Sequence, residues 1–165
     1  MLKYVDTDIV FQEIPDEVTL AINISNCPCK CKNCHSAYLA DDIGDYLDWE
    51  AIDDLINKNK GITCVAFMGG DSDPRGINTR AEAIKNVFPE LKVAWYSGRQ
   101  ELSPDIRLKN FNFIKLGPYI EELGGLKSTK TNQRLYEVVM TREIDENGDP
   151  VYALEDITFN FWRIC

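Results

Sequence analysis

Apolar residues fall into four short runs that predict β-strands. Each run is rich in β-branched or aromatic residues and stops at residues that favour turns. Residues 62–68 (ITCVAFM) are continuously apolar, which is typical of a strand buried on both faces of a parallel sheet. The predicted strands are residues 18–25, 62–68, 92–96 and 112–116.

Two amphipathic helices are predicted between the first three of these strands. Asp48 precedes a segment whose apolar residues recur at helical spacing, and Gly61 lies just beyond its end. Thr79 and Glu82 have the spacing of a capping box ahead of a helix over residues 80–88. Pro89 ends this second helix.

The last third of the chain has a different pattern. Glycine and lysine predict a flexible loop over residues 124–130. Residues 135–142 and 151–154 flank the turn-forming stretch 145–148, which predicts an antiparallel hairpin. Residues 157–162 alternate apolar and polar positions and are predicted as an edge strand.

Strands that alternate with helices predict a parallel sheet with right-handed crossovers. A closed eightfold barrel needs about 200–250 residues, so a barrel in a chain of 165 residues is expected to be incomplete. We therefore expect an α/β fold: a partial, open (β/α) barrel of mostly parallel strands with a C-terminal hairpin, in a single domain over residues 1–165.

Charge excludes some classes of partner. Lys and Arg total 18 against 27 Asp and Glu, which gives a net charge of −9. Nucleic acid and anionic membranes are bound through cationic patches, so neither is expected as the main partner. No apolar run approaches the ~18 residues that a membrane span needs.

Four of the six cysteines lie within residues 27–34. Disulfide frameworks spread their cysteines so that each bridge closes a loop, and this crowding suits a metal better. Residues 1–10 have no apolar core, so no secretory signal is expected there. In the reducing cytoplasm, the expected compartment, clustered thiols indicate metal binding or catalysis.

Cys27, Cys31 and Cys34 are spaced C-x3-C-x2-C directly after the first predicted strand. Three thiolates on a short loop can bind three irons of a cubane cluster and leave the fourth iron open to a small molecule. Ferredoxin-type cysteine spacing differs from this one. Open coordination is a feature of catalytic rather than structural metal sites.

A structural zinc site is the alternative interpretation of these cysteines. It would use Cys27, Cys31 and Cys34 with either Cys29 or His35 as the fourth ligand. Zinc ligands usually come as two separated pairs, and the sequence has no second pair. The spacing therefore favours iron–sulfur over zinc.

The cysteine spacing resembles that of the radical S-adenosylmethionine (SAM) enzymes. Met68-Gly69-Gly70-Asp71 is similar to the Gly-Gly-Glu/Asp motif with which that family binds the SAM amino group. Residues 95–98 (WYSG) and 131–134 (TNQR) resemble the Trp-Thr-Gly-Tyr and Ser-Asn-Gln segments of one subgroup. This subgroup comprises the activating proteins of anaerobic ribonucleoside-triphosphate reductase, and the resemblance covers roughly residues 17–137.

The resemblance implies a [4Fe–4S] cluster on Cys27, Cys31 and Cys34, with SAM on the fourth iron, in a partial barrel of radical SAM type. A reduced cluster then cleaves the SAM C5′–S bond, and the resulting 5′-deoxyadenosyl radical takes a hydrogen atom from a glycine of the partner enzyme. The cluster and SAM carry this chemistry, so no catalytic side chain is expected.

Cofactor-binding residues are expected at the carboxyl ends of the parallel strands, where such sheets place ligands. Asp71 could accept from the SAM amino group or cap a turn. Lys115 could meet the SAM carboxylate, because related glycyl-radical activators carry Asp-x-Lys there, although Phe113 replaces the Asp. The alternative for Lys115 is a solvated lysine at the strand end. The full set is Gly69, Gly70, Asp71, Ser97 and Lys115.

The implied partners are anaerobic ribonucleoside-triphosphate reductase and a one-electron donor such as flavodoxin or ferredoxin. One alternative is another small radical SAM enzyme, which acts on a small molecule or on another glycyl-radical protein. The second alternative is a zinc or iron–sulfur binding module without enzymatic activity.

Nearby residues are assigned simpler roles. Cys29 has no place in the family pattern and is expected to be a free thiol that points away from the cluster. His35 is expected to serve loop structure. Asn33 stands where many radical SAM proteins carry an aromatic residue near the adenine. Cys64 is expected in the core, and Cys165 is incidental.

Two further groups are interpreted structurally. The aromatic residues Trp95, Phe161 and Trp162 are expected in the core. A run of acidic residues is expected in a solvated loop: Asp41, Asp42, Asp45 and Asp48.

Overall fold

The computed structural model describes residues 1–163, over which the chain forms one eight-stranded sheet and two α-helices. The helices are α1 (Trp49–Lys58) and α2 (Pro74–Val87), and neither has the length and apolar character needed to cross a bilayer. The strands are β1 (Lys3–Val10), β2 (Thr19–Ile24), β3 (Asp45–Tyr46), β4 (Cys64–Met68), β5 (Lys92–Tyr96), β6 (Phe113–Leu116), β7 (Arg134–Ile144) and β8 (Pro150–Asp156).

The sheet is mixed, in the order β3-β1-β2-β4-β5-β6-β7-β8. The three central pairs, β2–β4, β4–β5 and β5–β6, are parallel. The four outer pairs are antiparallel. The α/β class and the four parallel strands are therefore as predicted, but the expectation of a mostly parallel sheet is wrong, because antiparallel strands extend both sides of the parallel centre.

Strand β1 was not expected from the sequence. Asp6 and Asp8 interrupt its apolar pattern, and both carboxylates accept from the side chain of Asn23 in β2. The Asn23 Nδ2 atom lies 2.7 Å from Asp6 Oδ1 and 3.4 Å from Asp8 Oδ2. Asp6 and Asp8 thus stabilise the pairing of β1 with β2. Hydrophobic periodicity along one strand does not detect such contacts.

The central strands are buried on both faces, as their apolar sequences predict. On one face, Val65, Phe67 and Val93 join a cluster that includes the buried sides of α1 and α2. On the opposite face, smaller residues such as Ala66 and Ala94 form a second cluster. The helices therefore cover one face, and irregular segments of the chain cover the other.

Helix α2 begins earlier than expected. Asp73 is its N-cap, and the Asp73 carboxylate accepts from the backbone N–H of Gly76 at 3.0 Å. Pro74 then occupies the first helical position, which a proline favours because its fixed φ suits a helix and no N–H is required there. Thr79, expected as the cap, instead lies inside the helix, and its hydroxyl donates to the Arg75 carbonyl.

The C-terminal hairpin is confirmed by the antiparallel pairing of β7 with β8. The prediction of an edge strand over residues 157–162 is wrong, because Thr158–Trp162 is a 3₁₀-helix. The Thr158 hydroxyl accepts from the Leu135 N–H at 2.8 Å and donates to Asp156 at 2.7 Å. These bonds turn the chain back over the sheet, whose edge β8 already forms.

The position of the α2 cap can be tested by mutation. We expect Asp73→Ala to lower the free energy of unfolding by about 0.5–2 kcal/mol, because the Gly76 N–H loses its acceptor. The matched control Thr79→Ala should change it less. Urea unfolding followed by circular dichroism measures both, and a larger loss for Thr79→Ala would contradict this helix start.

Candidate metal centre

The carboxyl ends of the four parallel strands form one side of a cavity. In the register of the sheet, Asn23 pairs with Met68, Met68 with Tyr96, and Tyr96 with Lys115. These residues form a continuous row across β2, β4, β5 and β6. All four line a cavity of about 190 Å³. We call them the floor row.

Residues 25–36, the cysteine loop, form another wall of this cavity. The loop follows β2 directly. The side of the loop that faces the cavity includes all three predicted metal ligands, Cys27, Cys31 and Cys34. The same three residues also line an adjoining cavity of about 280 Å³. All three predicted ligands thus border the cavity at the carboxyl ends of the parallel strands.

Sharp reversals of the backbone shape the cysteine loop. Asn26, Lys30 and Asn33 have positive φ angles of 59°, 44° and 56°. Asparagine tolerates this left-handed conformation better than most residues do. The N–H of Cys34 donates to the Cys31 carbonyl at 3.2 Å, which closes the last turn. The reversals let closely spaced cysteines face one region.

Two side-chain contacts hold the end of the cysteine loop against the connection between β6 and β7. The Asn33 amide donates to Glu121 at 2.6 Å. The His35 ring lies 5.6 Å from the ring of Tyr119, centroid to centroid. His35 thus packs in the loop structure as expected, and Asn33, at the position considered for adenine contacts, bonds to a carboxylate.

The double glycine after β4 forms a left-handed turn. Gly69 and Gly70 have φ angles of 102° and 97°. Gly69 lines the cavity, whereas a Cβ atom on Gly70 would lie 2.6 Å from the Ile77 side chain of α2. Gly70 therefore serves the close packing of helix on strand end, and Gly69 is the glycine on the cavity side.

Asp71 is buried and connects three segments of the chain. One carboxylate oxygen accepts from the Ser97 hydroxyl at 2.6 Å, and the other accepts from the Gly98 N–H at 2.8 Å. The Cys29 thiol lies 3.6 Å from the second oxygen. Asp71 lines the cavity, while Ser97 stands behind it in a neighbouring cleft.

Lys115 is a buried cation in the cavity wall. Its ammonium donates to the Ser97 carbonyl at 3.0 Å and to the Gly117 carbonyl at 2.9 Å. It also lies 5.7 Å from the centroid of the Tyr96 ring. Burial lowers the pKa of Lys115 to about 8, although the Asp71 carboxylate opposes this shift. Lys115 thus lies in the cavity wall and is not a solvated lysine at the strand end, and its contact with a ligand stays a prediction.

Cys29 does not point away from the other cysteines. It lines the same cavity and lies against Asp71 and Gly98. Burial, reinforced by the Asp71 carboxylate, raises the pKa of the Cys29 thiol to about 12. Cys29 is a free thiol as expected, but the expectation that it points away from the other cysteines is wrong, because the niche beside Gly98 accepts the side chain.

The remaining predicted residues divide between core and surface. Cys64 is fully buried in β4, and burial raises its pKa to about 12, so it is a core residue as expected. Trp95 is also buried, while Phe161 and Trp162 are only partly buried. Cys165 lies outside the described residues. The acidic residues Asp41, Asp42, Asp45 and Asp48 are exposed as expected, but they do not all lie in a loop. Asp45 lies in β3, and Asp48 is the N-cap of α1.

Several residues of the cavity wall were missed as site residues, among them Asn23 and three larger side chains. Met68 and Tyr96 close two strands of the floor row, and Tyr119 follows β6. Nothing in their residue types indicated a site. The available signals were their place at or just beyond the carboxyl ends of neighbouring strands and, for Met68 and Tyr96, the segments 68–71 and 95–98 that resemble family motifs. Gln133, also in the wall and buried, lies in the segment 131–134 that the family resemblance had indicated.

The donors around this cavity suit an iron–sulfur cluster. Thiolates are the usual ligands of such clusters, and the Lys115 ammonium supplies a buried positive charge in the wall of the same cavity. Over residues 1–163, no three side chains of His, Cys, Asp or Glu are gathered so that they could hold a single metal ion as they stand. The candidate ligands for a cluster are Cys27, Cys31 and Cys34.

Comparison of the chain with protein-family models, with curated proteins and with solved structures finds no match.

The burial of Lys115 predicts a pH dependence of stability. Between pH 8 and its ordinary pKa of 10.5, the folded state has released the proton that the unfolded state still binds. The free energy of unfolding should therefore rise with pH across this window, by at most about 1.4 kcal/mol per pH unit. Lys115→Met should lack this contribution.

Urea unfolding of the reduced, metal-free chain at pH 7, 8, 9 and 10 measures the effect. The difference between wild type and Lys115→Met should shift in favour of wild type as the pH rises above 8. Lys60→Met, which removes an exposed ammonium, is the control. If the free energy of unfolding changed with pH in the same way for wild type and Lys115→Met, the lowered pKa assigned to Lys115 would be contradicted.

Proposed function

We propose that this chain is a glycyl-radical activating enzyme of the radical SAM class, acting on anaerobic ribonucleoside-triphosphate reductase. We also propose that the sheet is a partial barrel of the kind that radical SAM enzymes have. The observation that carries it is the position of Cys27, Cys31 and Cys34 in one cavity with Asp71 and Lys115, at the carboxyl ends of parallel strands. The motif resemblance in the sequence supports the same conclusion.

The three cysteines are the proposed ligands of a [4Fe–4S] cluster, and SAM is the proposed ligand of the remaining iron. When bound, these groups supply one-electron cleavage of the SAM C5′–S bond and abstraction of a hydrogen atom from a substrate glycine. The chain itself binds, orients and shields the reacting groups.

Lys115 and Asp71 are suited to orient an amino acid moiety. An ammonium has three donors, and two of those on Lys115 reach backbone carbonyls, which leaves one for a carboxylate. A carboxylate has about four acceptor sites, and Asp71 uses three of them for Ser97, Gly98 and Cys29. One site is left for an amino group.

Two residues of the floor row give the cavity apolar surface. Met68 and Tyr96 present apolar surface there, since the Tyr96 hydroxyl donates to the Glu13 carbonyl. Charge interactions strengthen where water is excluded. A bound ligand would therefore interact strongly with the charges of Lys115 and Asp71.

A peptide substrate is compatible with the sheet, which does not close on itself. Strands β3 and β8 are its two edges, so the strands do not seal a barrel. The cysteine loop also borders two adjoining cavities, of about 190 and 280 Å³. A loop of a partner protein that carries the substrate glycine can therefore approach from outside.

Replacement of the ligands tests the cluster assignment. We expect Cys27→Ala, Cys31→Ala and Cys34→Ala each to abolish formation of 5′-deoxyadenosine from SAM after dithionite reduction. Iron and sulfide bound after anaerobic reconstitution should fall in the same variants. Cys64→Ala, which alters only the core, is the matched control. Full activity of Cys31→Ala, or about one zinc and no sulfide in the wild type, would refute the proposal.

The proposed partner is tested separately. Mixing the reduced, SAM-loaded protein with purified anaerobic reductase should produce a glycyl radical detectable by electron paramagnetic resonance. If SAM is cleaved but no radical appears on the reductase, the chain is another small radical SAM enzyme, and the choice of partner is wrong.

A further inference from the structure

Cys29 occupies a niche that the sequence pattern does not explain. Its Sγ atom lies 3.6 Å from Asp71 Oδ2. A Cβ atom on Gly98 would lie 2.8 Å from this sulfur and 3.2 Å from the Cys29 Cβ. The thiol therefore fills the space that the missing side chain of Gly98 leaves beside the Asp71 carboxylate.

We propose that Cys29 is a positioning residue that holds the middle of the cysteine loop against the ends of β4 and β5. The start of the loop is held by the Cys27 N–H, which donates to the Leu39 carbonyl at 2.8 Å. Its end is held through Asn33 and Glu121. Cys29 supplies the contact between these two attachments.

This contact reaches both strand ends through one carboxylate. Asp71 follows β4, and its other bonds go to Ser97 and Gly98, which follow β5. A displacement of Cys29 therefore removes the direct link between the loop and this bonded group. Cys27 and Cys31 lie two residues away on either side of Cys29. Without the contact at Cys29, the backbone no longer holds their side chains toward the cavity.

A thiol suits this position for two reasons. The thiol is a weak hydrogen-bond donor, and the Asp71 carboxylate accepts its hydrogen bond. The sulfur also fills volume as a small apolar group does. Alanine retains neither the donor nor the sulfur. Serine retains a donor, so Cys29→Ser should keep most of the contact. Because one loop contact is lost, the effect should be local rather than global.

The ligand roles of Cys27, Cys31 and Cys34 rest on the proposed function, but the position of the loop does not. The test therefore uses the full-length, reduced and metal-free chain. Lys30 and Lys32 lie exposed within the loop and are sites for trypsin. We expect Cys29→Ala to accelerate cleavage after these two lysines roughly threefold to tenfold. Cleavage after Lys58 should not change.

Rescue and control variants separate positioning from a general loss of structure. Cys29→Ser should be cleaved in the loop at nearly the wild-type rate, and Cys64→Ala should be cleaved there as slowly as wild type. Unchanged cleavage in Cys29→Ala, or equal acceleration in Cys29→Ala and Cys29→Ser, would overturn the proposal.

A double-mutant cycle tests the niche directly. Gly98→Ala should accelerate loop cleavage in the wild-type background, because its Cβ displaces the sulfur. The same substitution should add little in Cys29→Ala, since the sulfur is already gone. Independent, multiplying effects of the two substitutions would show that Cys29 and Gly98 do not act together, and would contradict the proposal.

Iron and sulfide content after reconstitution distinguishes this proposal from the proposed function. Loss of bound iron in Cys29→Ala together with faster loop cleavage supports positioning. Loss of iron in Cys29→Ala with unchanged tryptic cleavage of the loop would make Cys29 a ligand instead and would overturn the positioning role. If the wild type binds no iron but Cys29→Ala still loosens the loop, the proposed function fails and the positioning role remains.

Discussion

Parallel pairing of β2, β4, β5 and β6 is the constraint on which the rest of the site depends. It brings four strand ends to one edge of the sheet, and its register sets Asn23, Met68, Tyr96 and Lys115 side by side. Every turn of functional interest leaves from this edge: the cysteine loop, the double glycine and the segment that begins at Ser97. The antiparallel strands on either side widen the sheet without contributing to the row.

Opposite charges are buried in the wall of the cavity that this row borders. The Asp71 carboxylate joins the loops after β4 and β5, and the Lys115 ammonium is bound to carbonyls of the loops after β5 and β6. Each group is therefore held by backbone or side-chain partners before any ligand arrives. Such preorganisation lets a site bind a charged molecule without first rearranging its own polar groups.

Much of this arrangement could be predicted from the sequence. The four parallel strands, helix α1 and the hairpin have strong periodicity or clear turn residues, and the cysteine spacing located the loop. Strand β1 was not predicted, because Asp6 and Asp8 interrupt its apolar pattern. Their hydrogen bonds with Asn23 are contacts between strands, which the pattern along one strand does not show. The N-cap role of Asp73 and the direction of Cys29 depend on local backbone geometry, to which residue spacing is insensitive.

The floor row also determines where the chain tolerates a change of length. The crossovers that contain α1 and α2 return to the opposite end of the sheet, so a residue inserted in one of them leaves the row in register. A residue inserted within β4 or β5 reverses the side chains beyond it and removes Met68 or Tyr96 from the cavity. Insertions and deletions among related chains are therefore compatible with this site in the parts of the crossovers that follow the cysteine loop and Asp71, and incompatible with it in four short strands.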